Sequence, residues 1–263
     1  MSELAKYGPW AVIAGGSEGV GAEFAHQLAE AGVNLVLIAR KPEPLDQTAR
    51  RCEAVGAEVR TVAVDLLESD AAPKIFAATA DVEVGLLIYN AGASTCNEPF
   101  LDAPLGEFQK VLDLNVTRMM ELVQHYGRQM VDRGRGGIVL VGSLSGYMGA
   151  DRHSIYGGAK AFSRVFAESL WLELRPHGVD VLELVLGVTR TPAMARVGLN
   201  FDIPGMIVNE PAEVAAEGLA NLANGPVHVA GGNAATAAAN SAPDRANVVL
   251  EAHERIRRLV NRR

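Results

Sequence analysis

An α/β chain, with a parallel sheet wound on both faces by helices, is predicted by three features of the sequence. The apolar run 10–14 ends in the turn Gly15-Gly16-Ser17-Glu18-Gly19-Val20-Gly21, and residues 22–31 then carry helical spacing closed by Gly32. The next run, 34–39, is continuously apolar, as befits a strand buried on both faces of a parallel sheet. Apolar runs then alternate with helix-like stretches for most of the chain, the pattern of a single-domain, Rossmann-like doubly wound sheet with its ligands at the carboxyl ends of the strands.

Taken in order, the strands are expected at 10–14, 34–39, 59–64, 85–89, 137–141, 179–186 and 227–230. Residues 108–123 place Val111, Leu112, Leu114, Val116, Met119 and Leu122 as one long, largely buried helix with Asn115 among them. Residues 192–209 are apolar without clean periodicity and read as a lid, and 211–223 as an amphipathic helix. The Ala-, Gly- and Asn-rich stretch 230–243 reads as a loop or a poorly specified helix, and the basic 255–263 as a solvated terminal helix.

A length of 263 residues, 49% hydrophobic, suits one globular domain over 1–263 with a substantial core. A net charge of -7 argues against nucleic acid as a partner. Cys52 and Cys96 are the only cysteines, which leaves no pairs for a metal cluster, and residues 1–6 lack the apolar segment of a signal peptide. No apolar run approaches the ~18 residues that span a bilayer. A reduced, cytoplasmic protein with small-molecule or protein partners is expected.

Two constellations carry chemistry. Tyr156 and Lys160 stand four residues apart, so a helix stacks the phenol and the ammonium on one face. A cation favours the phenolate and pulls the phenol toward use as a general acid/base. The glycine turn matches three patterns. A Walker loop needs Lys where Ala22 stands, so that reading fails. Gly15-Gly16-Ser17-Glu18-Gly19 also spells a hydrolase elbow, but Ser17 follows the first strand, and no earlier loop exists to supply an oxyanion-hole amide. The remaining reading is a dinucleotide turn, where glycines let backbone approach a pyrophosphate at the amino end of a helix.

The glycine turn, Asn90-Ala91-Gly92, Asn115, Ser143, Tyr156 and Lys160, in that order and over nearly the whole chain, resemble the short-chain dehydrogenase/reductase family. Within it, 6–13 and 34–40 are similar to the branch of 3-oxoacyl reductases and hydroxysteroid dehydrogenases. The resemblance implies reversible hydride transfer between a nicotinamide cofactor and a carbonyl/secondary alcohol pair. Tyr156 would be the acid/base, Ser143 would hold the substrate oxygen, Lys160 would tune Tyr156 and bind the nicotinamide ribose, and Asn115 would locally kink its helix and support a proton relay. Ser145 is the rival of Ser143, and His153 is a weak candidate shuttle.

Cofactor contacts implied for this chain are Gly15, Ser17, Glu18, Gly19, Val20 and Gly21 in the turn, Asp65 and Leu66 at the adenine, Asn90, Ala91 and Gly92 along the nucleotide, and Val188 and Thr191 near the carboxamide. Asp65 reads equally as a turn former or helix cap. Ala39 leaves the end of the second strand uncharged and Arg40 can pair a 2′-phosphate, so NADP(H) is expected, against the counter-signal of Glu18. Tyr89 stands where many relatives carry Asn, and Leu186 where they carry Pro. The resemblance also implies a homodimer or homotetramer packed through the helices of Asn115 and Tyr156. A non-catalytic NADP(H)-binding sensor or scaffold is the alternative class.

Overall fold

The computed structural model describes residues 3–260, with side chains from 4 to 254. In chain order the elements are β1 (Trp10–Ala14), α1 (Gly19–Glu30), β2 (Asn34–Ala39), α2 (Pro42–Glu53), β3 (Val59–Ala63), α3 (Ala71–Ala78) and β4 (Val84–Tyr89). They continue with α4 (Leu105–Leu112), α5 (Arg118–Arg133), β5 (Gly136–Ser143), α6 (Ser154–Leu174), β6 (Val179–Leu186), β7 (Val188–Thr189) and α7 (Pro192–Arg196). The last are β8 (Val208–Asn209), α8 (Pro211–Asn221), β9 (Val227–Val229), α9 (Ala234–Asn240) and α10 (Arg245–Val260).

Seven strands form one parallel sheet in the order β3-β2-β1-β4-β5-β6-β9. Alternation along each strand divides the core between two faces. Ile13, Leu37, Val139, Leu182 and Leu184 pack with Phe24, Leu28 and Val214 of α1 and α8. Val12, Leu87, Leu140 and Val181 pack with Leu122 and Tyr126 of α5 and Leu170 of α6. Each such fully buried side chain stabilises the fold by about 1.5–3 kcal/mol. The order reverses between β1 and β4, and there the carboxyl ends open a crevice.

Three segments differ from the sequence reading. The expected helix at 108–123 is divided, because a π-helical turn, Asp113–Thr117, joins α4 to α5. The stretch 192–209 contains α7 and ends in β8, which pairs with β7 as a separate two-stranded ribbon. The stretch 230–243 is ordered around Asn233, whose Nδ2 donates to Asn209 Oδ1 (3.0 Å) and to the Ala230 carbonyl (2.9 Å), and it folds into α9. The basic end is helical through Val260. Residues 261–263 and the basic side chains from 255 onward lie outside the described residues.

Candidate active site

The crevice is built from backbone first. Gly15 has φ 82° and Gly21 packs so closely that a Cβ there would lie 1.9 Å from the Gly15 carbonyl oxygen. Only glycine permits this turn. The turn is braced on both sides: Asn90 Nδ2 donates to the Gly15 carbonyl (2.8 Å), and Thr48 Oγ1 donates to the Ser17 carbonyl (3.0 Å). Glu18 stands at the amino end of α1 without capping it, so the first amides of that helix stay free for an anion. Val20 turns its side chain into the core, leaving its backbone at the crevice.

The reactive side chains come from the end of β5, the first turns of α6 and the π turn between α4 and α5. Lys160 is 7% exposed, and its Nζ donates to the Val141 carbonyl (2.9 Å) and lies 5.8 Å from the centre of the Tyr156 ring. Ser143 is the last residue of β5; its Oγ accepts from the Ser145 amide (3.1 Å) and hydrogen-bonds the Tyr156 phenol. Asn115 donates from Nδ2 to the carbonyls of Val111 (2.9 Å) and Ala93 (3.0 Å) within and beside the π turn. A Cβ on Gly92 would stand 2.7 Å from Asn115 Oδ1 and 2.9 Å from Lys160 Nζ. Gly92 is therefore the gap through which Asn115 and Lys160 approach each other.

Electrostatics correct one expectation. Burial raises the Tyr156 phenol above its ordinary value of 10.0 and outweighs the Ser143 hydrogen bond that lowers it, so in this structure the phenol is not pulled down as the Tyr-Lys spacing predicts. Lys160 is itself pushed down to about 8 by burial, against the opposing charge of Glu183. His153 lies at the rim, with its ring 6.4 Å from that of Tyr156 and Nδ1 against the Asp151 carbonyl.

Along the rest of the crevice, Arg40 is largely in solvent at the end of β2, 3.8 Å from Asp65 Oδ2. Asp65 Oδ1 accepts from the Leu67 amide (3.0 Å), so it forms a turn as well as facing Arg40. Leu66 is buried in the core with its carbonyl taken by Arg118 Nε (2.9 Å), which leaves less of it for an adenine contact than the sequence reading implied. Thr191 caps α7, accepting from the Met194 amide (3.2 Å), and its methyl would touch a Cβ at Gly19. Val188 pairs with Val208 in the small ribbon. Arg196, from α7, holds the Glu18 carboxylate through two hydrogen bonds, one of 2.8 Å, and keeps its carboxyl below the usual range.

Three roles escape sequence reasoning: those of Arg196, Tyr89 and Glu183. The first two act across long sequence separations. The third carries a legible signal, a carboxylate inside the apolar run 179–186. A surface depression lined by Lys6, Tyr7, Arg135 and Asp180 lies at the opposite rim of the sheet, away from these groups. Among the described residues no cluster of His, Cys, Asp and Glu is able to hold a metal ion, and no helix is long and apolar enough to cross a membrane.

A doubly wound sheet whose switch-point crevice receives a Tyr–Lys pair defines the dinucleotide-dependent oxidoreductases acting on CH–OH groups. The free amides of α1, the glycine cradle and the Gly92 gap fit a nicotinamide dinucleotide. The chain belongs to the short chain dehydrogenase family, whose sequence pattern matches residues 9–200. It is 32% identical over 195 residues to a 7beta-hydroxysteroid dehydrogenase of Collinsella aerofaciens, covering 74% of each chain. It is 36% identical over 202 residues to a very-long-chain 3-oxoacyl-CoA reductase of Pyricularia oryzae, covering 75% of this chain and 61% of that protein. Among solved structures, one from work on 7beta-hydroxysteroid dehydrogenase stereoselectivity superposes with a TM-score of 0.87 at 28% identity, covering 95% of this chain and 99% of the other. A short-chain dehydrogenase from Sphingobium yanoikuyae in complex with NADPH gives 0.78 at 29% identity, covering 87% and 90%.

Proposed function

We propose that the protein interconverts a ketone and a secondary alcohol on a small lipophilic substrate, using NADP(H). The observation that carries the reading is the convergence of Tyr156, Lys160, Ser143 and Asn115 at one end of the sheet beside the glycine crevice. When bound, the nicotinamide supplies or accepts hydride at the substrate carbon. Tyr156 gives its proton to the carbonyl oxygen in reduction and takes it back in oxidation. Ser143 holds that oxygen by a hydrogen bond, and Lys160, beside the Tyr156 ring, supplies a positive charge that works against the burial holding the phenol up. Asn115, fixed through Nδ2, supports return of the proton toward solvent.

NADP(H) rather than NAD(H) is favoured by Arg40, by the uncharged Ala39, and by the NADPH carried by the Sphingobium relative. The objection from Glu18 weakens, because Arg196 neutralises it. A lipophilic substrate is favoured by the apolar side chains exposed on the segment 192–209, Met194, Val197 and Ile207, and by the steroid and acyl substrates named for two relatives. That segment is read as the substrate lid. Exposed Phe162, Val165 and Leu172 on α6 favour a homodimer or homotetramer built on that helix, and the free cysteines fit a reducing cytoplasm.

The test follows NADPH oxidation with a panel of a 7-oxosteroid, a 3-oxoacyl thioester and an aromatic ketone, alongside NADPH binding by fluorescence. Turnover by the wild type and a fall in kcat of about 10² or more in Tyr156→Phe, with binding retained, is the expected result. Undiminished turnover in Tyr156→Phe rules the mechanism out, and binding with no turnover across the panel favours a nucleotide sensor.

A further inference from the structure

Glu183 lies midway along β6, a strand whose other charged residue, Asp180, sits near its amino end, and Glu183 is 1% exposed. Side chains alternate along a strand, and its neighbours on the same face, Val179 and Val181, pack with Ala167 and Leu170 of α6. Glu183 therefore points at α6. Its carboxyl fills the place that Gly142 leaves empty: a Cβ on Gly142 would lie 2.5 Å from Oε1 and 2.7 Å from Cδ. On the other side of that peptide, the Val141 carbonyl takes the Lys160 ammonium.

Among the described residues, the charged and hydroxyl groups that act on this carboxyl come from α6 and from the segment after β5. Lys160, Ser163 and Arg164 stand at positions i, i+3 and i+4 on one face of α6, with Glu168 a turn further on and Tyr147 beyond the end of β5. Ser163 is 2% exposed and hydrogen-bonds Glu183, while Oε2 accepts no hydrogen bond from the described residues. Arg164 is shared, because it lies over the Tyr147 ring (4.8 Å) and pairs with Glu168 (3.7 Å). The charge that opposes the burial of Lys160 is that of Glu183. A carboxylate in such a layer is expensive without a cation, and an ammonium there is expensive without an anion.

We propose that Glu183 is a positioning residue for the reaction: from behind Gly142 its carboxylate is the counter-charge that keeps Lys160 an ammonium, and so it sets the pH above which the Tyr156–Lys160 pair fails. This rests on the roles proposed above for Tyr156 and Lys160. It gives β6, which touches neither substrate nor nucleotide in that mechanism, a part in the chemistry.

The chain has five lysines, Lys6, Lys41, Lys74, Lys110 and Lys160, so isotope labelling of the lysine ε-carbons yields a spectrum simple enough to follow by NMR against pH. Lys160→Arg assigns the signal. In the wild type the Lys160 midpoint is expected below the other four, with a second, smaller inflection as Glu183 ionises. Glu183→Gln, which keeps shape and removes charge, should lower that midpoint by about one pH unit, and Glu183→Asp should restore most of it. An unmoved midpoint in the Gln variant overturns the proposal. Equal shifts in the Gln and Asp variants also overturn it, as does a wild-type Lys160 signal that lacks the second inflection, a result that needs no variant to fold. The titration uses no substrate. An unmoved midpoint beside an inactive Tyr156→Phe removes the counter-charge and leaves the reaction standing.

Discussion

Arg40 faces solvent at the end of β2, and its 3.8 Å approach to Asp65 is a loose, exposed pairing worth little. A 2′-phosphate therefore competes with a weak partner. A charge-assisted contact contributes about 1.5–3 kcal/mol, so Arg40→Asp is expected to lower kcat/KM for NADPH by about tenfold or more with little change for NADH. Steady-state rates with both nucleotides check this, and an unaltered preference refutes the assignment. The gathering of Tyr156, Lys160 and Ser143 was legible in the sequence through the family resemblance, to which the four-residue spacing of Tyr156 and Lys160 added support. The environment of Glu18 was not, since its partner Arg196 reaches it only after the chain has passed through β6 and turned back. The state of the Tyr156 phenol was misjudged for a related reason: spacing reveals a nearby cation, whereas burial depends on everything packed around the ring.

The helical stretch 105–133 shows what periodicity conveys and where it stops. Its apolar positions predicted helix correctly, but an extra residue in one turn leaves that pattern nearly intact, so periodicity did not show the π turn at Asp113–Thr117, and only the family resemblance implied a kink at Asn115. Tyr89 supports the turn from β4. Its hydroxyl donates to the Leu114 carbonyl (2.5 Å), and burial pushes its pKa well above the usual phenol value, which keeps it a donor. Tyr89→Phe leaves that half-buried carbonyl without its partner, a loss of about 1 kcal/mol. Urea unfolding should register the loss, and kcat should fall with it while NADPH affinity holds, because Asn115 is the next residue along the turn. Full stability and full kcat in that variant would show the contact to be idle. For the stretch 230–243 composition left a loop and a poorly specified helix open; the stretch forms α9, and Asn233 and Asn209 organise its start through bonds between distant positions.

Across the whole molecule, the seven strands and the parallel, doubly wound class followed from largely apolar runs separated by helices, a pattern that local sequence carries. The ribbon of β7 and β8 did not, since two-residue strands leave no periodicity to read. Stability of the whole chain should show the buried acid. Glu183 is pushed up to about 7 from 4.5, so the folded chain binds its proton more tightly than the unfolded one. Its contribution is present below 4.5 and is lost as pH rises through about 7. Relative to Glu183→Gln, the wild type is expected to lose about 2 kcal/mol between about pH 5 and about pH 7. Urea unfolding at each pH measures this, and a flat difference contradicts the burial. Lys160 runs the other way: its folded value of about 8 lies below 10.5, so its contribution appears above 10.5 and is lost as pH falls through about 8.

The absent side chain at Gly142 has one more consequence. The carboxyl of Glu183 occupies the space a methyl would need, so the two positions constrain each other's side-chain volume although they stand on different strands. In a library randomised at both, survivors should pair glycine at the first with an acid at the second, or a larger first residue with a small second one, and rarely mix the two solutions.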